Sequence, residues 1–174
     1  VQRIDALSLI TPWGAVSAAV SVDTTRSPYP LFTEVQMRTE RDGHPVEVAL
    51  RADGTLERLA LRMQANGAGL SGEADADVAP FAPMPLLALR ATLGEIDPSL
   101  FFGGAPAARL QVAADLTGDA DTRRLAGELR VSNAAPQRID AGGLPLERLV
   151  ARIDASLEDA DLAHVEAVLA GGAR

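Results

Sequence analysis

Cysteine is absent from the 174 residues, which excludes disulfides, thiolate nucleophiles and thiolate metal sites. The compartment stays open, because many secreted proteins also lack cysteine. Lysine is absent too, since all 16 basic residues are arginine. A P-loop and a Schiff-base mechanism both require lysine and are excluded with it. Aromatic residues amount to 3%: one Trp, one Tyr and four Phe. Alanine fills the gap at roughly a fifth of the chain, well above average usage. A core built this way is thin and aliphatic. Positive charge is also short, with 24 acids against 16 bases and a net charge of −8. Binding to nucleic acid needs clustered positive charge that releases counterions from phosphates, and no basic stripe exists, so no nucleic-acid partner is expected. The apolar runs fall far short of the ~20 residues that cross a bilayer as a helix. No basic segment leads into an apolar stretch, so no signal peptide is expected.

The length suits one domain, since domains run roughly 100–200 residues. Hydrophobic residues are 47% and charged residues 23%, which is the composition of a folded chain. The chain opens mid-pattern at Val1-Gln2-Arg3-Ile4 and stops at Gly171-Gly172-Ala173-Arg174, which reads as a piece of a longer protein.

Alternation is the dominant signal. Val16, Ala18, Val20 and Val22 share a parity, with Ser17 and Ser21 between them. Leu31, Val35 and Met37 oppose Glu34, Gln36 and Arg38; Val46, Val48 and Leu50 oppose Glu47 and Arg51. Leu70, Ala74, Ala76 and Val78 oppose Ser71, Glu73, Asp75 and Asp77. The pattern resumes at Leu87 to Leu93, with Leu89 and Leu93 on one parity. Leu110, Val112 and Leu116 then oppose Arg109, Gln111 and Asp115, and Leu129 and Val131 oppose Glu128, Arg130 and Ser132. Successive strand side chains point to opposite faces, so each stretch predicts a strand with one apolar and one wet face. Asp42-Gly43, Asp53-Gly54, Asn66-Gly67 and Gly118-Asp119 are expected to be hairpin turns, because such pairs supply positive φ. The span from Leu31 to Val78 then reads as an antiparallel meander of four strands.

Leu56 to Ala65 and Leu146 to Ala170 are rich in helix formers, yet Leu149, Ala151, Ile153, Ala155 and Leu157 also alternate. Helix and strand both fit them. The prolines at 80, 83 and 85 cannot sit in a central strand, and 79–85 is read as a corner within one sheet. Asp97-Pro98-Ser99-Leu100-Phe101 predicts one short helical turn near 97–102.

Candidate chemistry is sparse. His44 and His164 have no HxH or HExxH spacing, so no metal site is expected. Ser71 lacks a nucleophile-elbow sequence. The pairs Asp75/Asp77, Asp119/Asp121 and Asp159/Asp161 read as solvated acids; a glycosidase would need them in a cleft with shifted pKa values. The expectation is a protein with no catalytic residues and no cofactor. The anomaly is the apolar face. About ten strands at ~4.8 Å spacing make a sheet roughly 45–50 Å long, and soluble proteins seldom leave such a face bare. Two outcomes fit: a sheet folded onto itself as a sandwich or barrel, or a trough kept apolar to hold something apolar.

From Leu87 onward the chain resembles the TamB family, translocation and assembly module subunits of the AsmA-like envelope group. The likeness rests on Ile96-Asp97-Pro98-Ser99-Leu100-Phe101, the strand Arg109 to Asp115, and Gly127-Glu128-Leu129-Arg130-Val131-Ser132-Asn133. It continues through Asp140-Ala141-Gly142-Gly143-Leu144-Pro145-Leu146 and Leu169-Ala170-Gly171-Gly172. Thr11-Pro12-Trp13-Gly14 and Val78-Ala79-Pro80-Phe81 extend it upstream. The resemblance implies an all-β fold in which a long curved, mostly antiparallel β-sheet folds into a taco-like trough with an apolar interior, one segment across residues 1–174. It also favours strand for Leu149 to Leu157. It implies a periplasmic bridge of a Gram-negative bacterium, anchored in the inner membrane and reaching a TamA-like outer-membrane partner through regions outside this segment.

On that reading the groove would be lined by Val16, Val20, Val22, Leu31, Val35, Val46, Val48, Leu50, Leu89, Leu93, Leu110, Val112, Leu116, Leu129, Val131, Leu149, Ile153 and Leu157. Its cargo would be phospholipid acyl chains, whose ~16 carbons resist leaving a membrane by on the order of 12 kcal/mol. The alternative is a chaperone-like scaffold that captures strands of outer-membrane β-barrel proteins at an open sheet edge. Which parity faces inward near Leu59 to Met63 is open.

Overall fold

Period-two sequence becomes structure when each strand finds a neighbour to pair with, and here the neighbours are always the adjacent strands in the chain. A computed structural model describes residues 2–11, 14–41, 44–67, 70–100, 103–156 and 160–170. They form β1 (Gln2–Thr11), β2 (Gly14–Val22), β3 (Pro30–Arg41), β4 (His44–Thr55), β5 (Leu59–Gly67) and β6 (Leu70–Val78). These are followed by β7 (Leu86–Ile96), β8 (Leu110–Asp119), β9 (Arg124–Asn133), β10 (Leu146–Ala155) and β11 (Ala160–Leu169). All eleven strands belong to one open, curved antiparallel sheet whose spatial order is the chain order. The four-strand meander expected from Leu31 to Val78 is β3 to β6.

Both ambiguous segments form strands, from Leu59 in the first and on either side of residues 157–159, which lie outside the described residues, in the second. Leu59, Leu61 and Met63 alternate in β5 with exposed Ala60, Arg62 and Gln64. Leu146 to Ala155 forms β10 and Ala160 to Leu169 forms β11. The helix propensity of Leu, Ala and Arg amounts to a few tenths of a kcal/mol per residue, and ladder bonding to neighbouring strands overrides it.

Three of the expected turns keep their residues in the ladder, and Asn66 and Gly67 pair with Ser71 and Leu70. Asp53 and Gly54 remain in the ladder, opposite Ala60 and Leu59. The turn tip is Leu56-Glu57, closed by reciprocal Thr55–Arg58 backbone bonds of 2.8 and 3.1 Å. Gly54 serves close approach there: at φ 143°, a Cβ would lie 2.3 Å from the Arg58 carbonyl oxygen. Gly118 likewise pairs with Leu125, and the turn spans 120–123. A Cβ on Gly118 would meet the Leu86 carbonyl oxygen at 1.9 Å. Asx-Gly dipeptides mark chain reversals, but they do not distinguish a turn tip from a glycine beneath a crossing backbone. The pair Asp42-Gly43 lies outside the described residues.

The proline-rich corner turns the chain within the sheet. The Ala79 N–H donates to the Pro85 carbonyl at 2.7 Å, and buried Ala79 and Met84 anchor the loop. A 3-10 turn at Pro98–Leu100 lies where the helical turn was expected. A second, at Ile139–Ala141, was not foreseen. The β9–β10 connection is clasped by Asn133, the only buried polar residue among those described. Its Oδ1 accepts from the Arg109 and Ala135 N–H groups at 3.0 Å each, and its Nδ2 donates to the Leu144 carbonyl at 3.1 Å.

The exposed area of the chain is 11475 Å². A compact monomer of this mass exposes about 8,100 Å², so the sheet carries an excess of about 3,400 Å². No described side chain is completely buried. Both values are those of a single layer. Replacing Asn133 by Ala is expected to cost about 1–3 kcal/mol, because three backbone groups at the loop clasp lose their partner. Urea unfolding of the variant measures it.

Candidate functional site

Register decides which residues share a face. One transverse row runs Leu7, Ala18, Val35, Leu50, Met63, Ala74, Ala91, Ala114, Leu129, Ala151, Val165, one residue from each strand. The next row on that face runs Leu9, Val16, Met37, Val48, Ala65, Gly72, Leu93, Val112, Val131, Leu149, Ala167. No polar side chain interrupts either row, and neither contains an aromatic residue. A third row carries Val20, Thr33, Ala52, Leu61, Ala76, Leu89, Leu116, Gly127 and Ile153.

Of the candidate lining residues, Val16, Val35, Val48, Leu50, Leu93, Val112, Leu129, Val131 and Leu149 fall in the first two rows. Val20, Leu89, Leu116 and Ile153 fall in the third. Val22 pairs with Leu31 and Val46 with Thr39 on the same face, and Leu110 stands opposite Asn133. Leu157 lies outside the described residues. Leu59, Leu61 and Met63 join the face by pairing with Val78, Ala76 and Ala74, which resolves the open parity. Their own alternation with Arg62 and Gln64 was the available signal, masked by helix propensity.

Exposure along a row follows position in the sheet. Ala65 and Ala151 are 3% exposed, whereas Leu7 is 59% and Val165 50% exposed on the edge strands. A central residue is shielded by neighbours on both sides and an edge residue by one. No second sheet and no long helix covers this face among the described residues.

The opposite face is charged. Its main row runs Glu34, Arg51, Arg62, Asp75, Arg90, Asp115, Glu128, Arg152, His164 from β3 to β11. Arg51 and Arg62 stand directly opposite each other, and each turns outward to an acid: Arg51 to Glu34 at 3.2 Å, Arg62 to Asp75 at 3.3 Å. Arg90 meets Asp115 at 3.6 Å. Asp77, the second member of the candidate acid pair, meets Arg58 at 3.5 Å. Three hollows open on this charged face, and another lies among the strand ends and loops near Asp97 and Gln137. The largest, about 960 Å³, lies over Arg90, Asp115, Glu128, Arg152 and Asp154. The apolar face is a broad open track rather than a pocket. Among the described residues no three His, Asp or Glu groups are placed to hold a metal.

Three carboxyls lie below their ordinary range, all at chain reversals. The Thr25 hydroxyl and N–H hold Asp23 down, and the Thr122 and Asp121 N–H groups hold Asp119 down. Burial alone would raise Asp97, but bonds from the Ser99 hydroxyl and N–H and the Ala108 N–H together outweigh it. These acids organise turns. Comparison with known proteins identified no matching family model, no matching curated protein and no matching solved structure.

A carboxyl lowered in the folded state contributes stability above its unfolded value, near pH 4, and loses it as pH falls through the folded value. Asp97→Asn is therefore expected to flatten the loss of stability below about pH 4. Unfolding midpoints measured against pH check this. The Arg62–Asp75 pair is exposed on both sides, so a double-mutant cycle is expected to give under about 1 kcal/mol.

Proposed function

We propose that the apolar face is a track that shields phospholipid acyl chains from water, and that the chain is one segment of a periplasmic bridge between inner and outer membranes. The observation that carries this reading is the bare, in-register aliphatic face. It runs across eleven strands, roughly 50 Å at ~4.8 Å per strand. Each methylene kept from water is worth about 0.8 kcal/mol, so a continuous aliphatic surface offsets much of the cost of removing a tail from a bilayer. Among the described residues the rows of this face also lack the aromatic anchors that would hold a tail at one place. The setting comes from the TamB-like motifs, which imply an inner-membrane anchor and a TamA-like partner beyond this segment. No reacting group is assigned.

The second reading is strand capture. β1 and β11 each have one unpaired edge, which could add a client strand by main-chain bonding. The test places a photo-crosslinking residue at Met37 and compares lipid capture in Val112→Arg and Leu129→Arg backgrounds. A buried guanidinium in the track is expected to lower capture about tenfold or more while the strand signal in circular dichroism persists. Unchanged capture in both variants overturns the track. Cross-links confined to β1 and β11 favour strand capture instead.

A further inference from the structure

We infer that the apolar face is self-complementary, and that without lipid two copies of the chain close on each other face to face as a two-fold dimer. The first argument is area. The excess of about 3,400 Å² over a compact monomer is carried by each copy, whereas obligate dimers bury roughly 2,000–5,000 Å² in total. One face, roughly 50 Å across the strands and about 30 Å along them, can supply its half of that from a single continuous surface.

The second argument is relief. β5 presents a ridge of Leu59, Leu61 and Met63 on this face. Its neighbour β6 presents a valley of Gly72, Ala74 and Ala76. Ridge and valley are adjacent and level, since Leu61 pairs with Ala76 and Met63 with Ala74. A two-fold axis parallel to the strands, between β5 and β6, therefore sets each copy's ridge over the other's valley. Leu61 then stands over the second copy's Ala76, and Met63 over the second copy's Ala74. Sheets pack face to face about 10 Å apart with strands within about 30°, a spacing that side chains interleaved in this way fill. The third argument is charge. The two central rows hold no ionisable residue, so closure strands no charge, and the charged row stays in water on the outside.

This contact does not rest on the acyl-chain reading, and its test uses no lipid. The 174-residue chain, stripped of lipid and detergent, is examined by sedimentation at about 1–100 µM, the range in which a micromolar dimer dissociates. The expected species has twice the 18.2 kDa chain mass. Met63→Arg and Ala74→Glu are each expected to weaken the dimer on the order of a hundredfold, as central interface positions do. Gln64→Arg, on the charged face, is expected to leave it unchanged. A monomer throughout the range overturns the inference. So does a dimer that survives both Met63→Arg and Ala74→Glu, or one abolished by Val165→Pro alone, which would place the contact on the β11 edge.

Discussion

The architecture depends on one constraint: apolar and polar residues alternate with period two in strands that pair without losing phase. A slip of one residue in any pair would carry that strand's apolar set to the wet side. Register shifts occur in β1–β2, β6–β7, β7–β8 and β10–β11, and beyond those of β6–β7 and β7–β8 the pairs Val78–Leu86 and Ile96–Leu110 return to the apolar face. Two faces of opposite character follow, aliphatic on one side and charged on the other.

A single layer leaves much of its apolar surface in water. Lateral contact within a row shields central residues such as Ala65, Leu116 and Ala151, while Leu7, Leu9 and Val165 on the edge strands remain exposed. Cohesion comes from the ladder and from the connections that tie it down, such as the corner over Met84 and the Asn133 clasp. The ion pairs of the charged face contribute little to stability, because both partners are solvated. Their role is to keep one side wet and to let Arg51 and Arg62 sit opposite each other without a net penalty.

The same bare surface underlies both functional inferences. An acyl chain and a second copy need the same aliphatic rows, so each excludes the other. Such competition is a linkage: a ligand that binds only the open monomer shifts the dimer equilibrium by mass action. A surface that closes on itself when empty would be hidden from aggregation and remain available to a tail.

Much of this was legible in the residues. The strands at Val16–Val22, Val46–Leu50 and Leu110–Leu116, the corner at 79–85 and the turn after Asp97 follow from local alternation and proline chemistry. Eighteen candidate lining residues could be named because parity is a local property. Residue identity did not settle whether Leu59–Met63 was helix or strand, where Gly54 and Gly118 sat relative to their turns, or that Asn133 would hold three backbone groups. Those outcomes depend on neighbours distant in the chain, which supply the ladder bonds and the close backbone approaches. Sequence by itself determined two unlike faces on the strands it could identify by alternation; only tertiary structure decided that the faces of all eleven strands align into one surface, because alignment is a matter of pairing between strands.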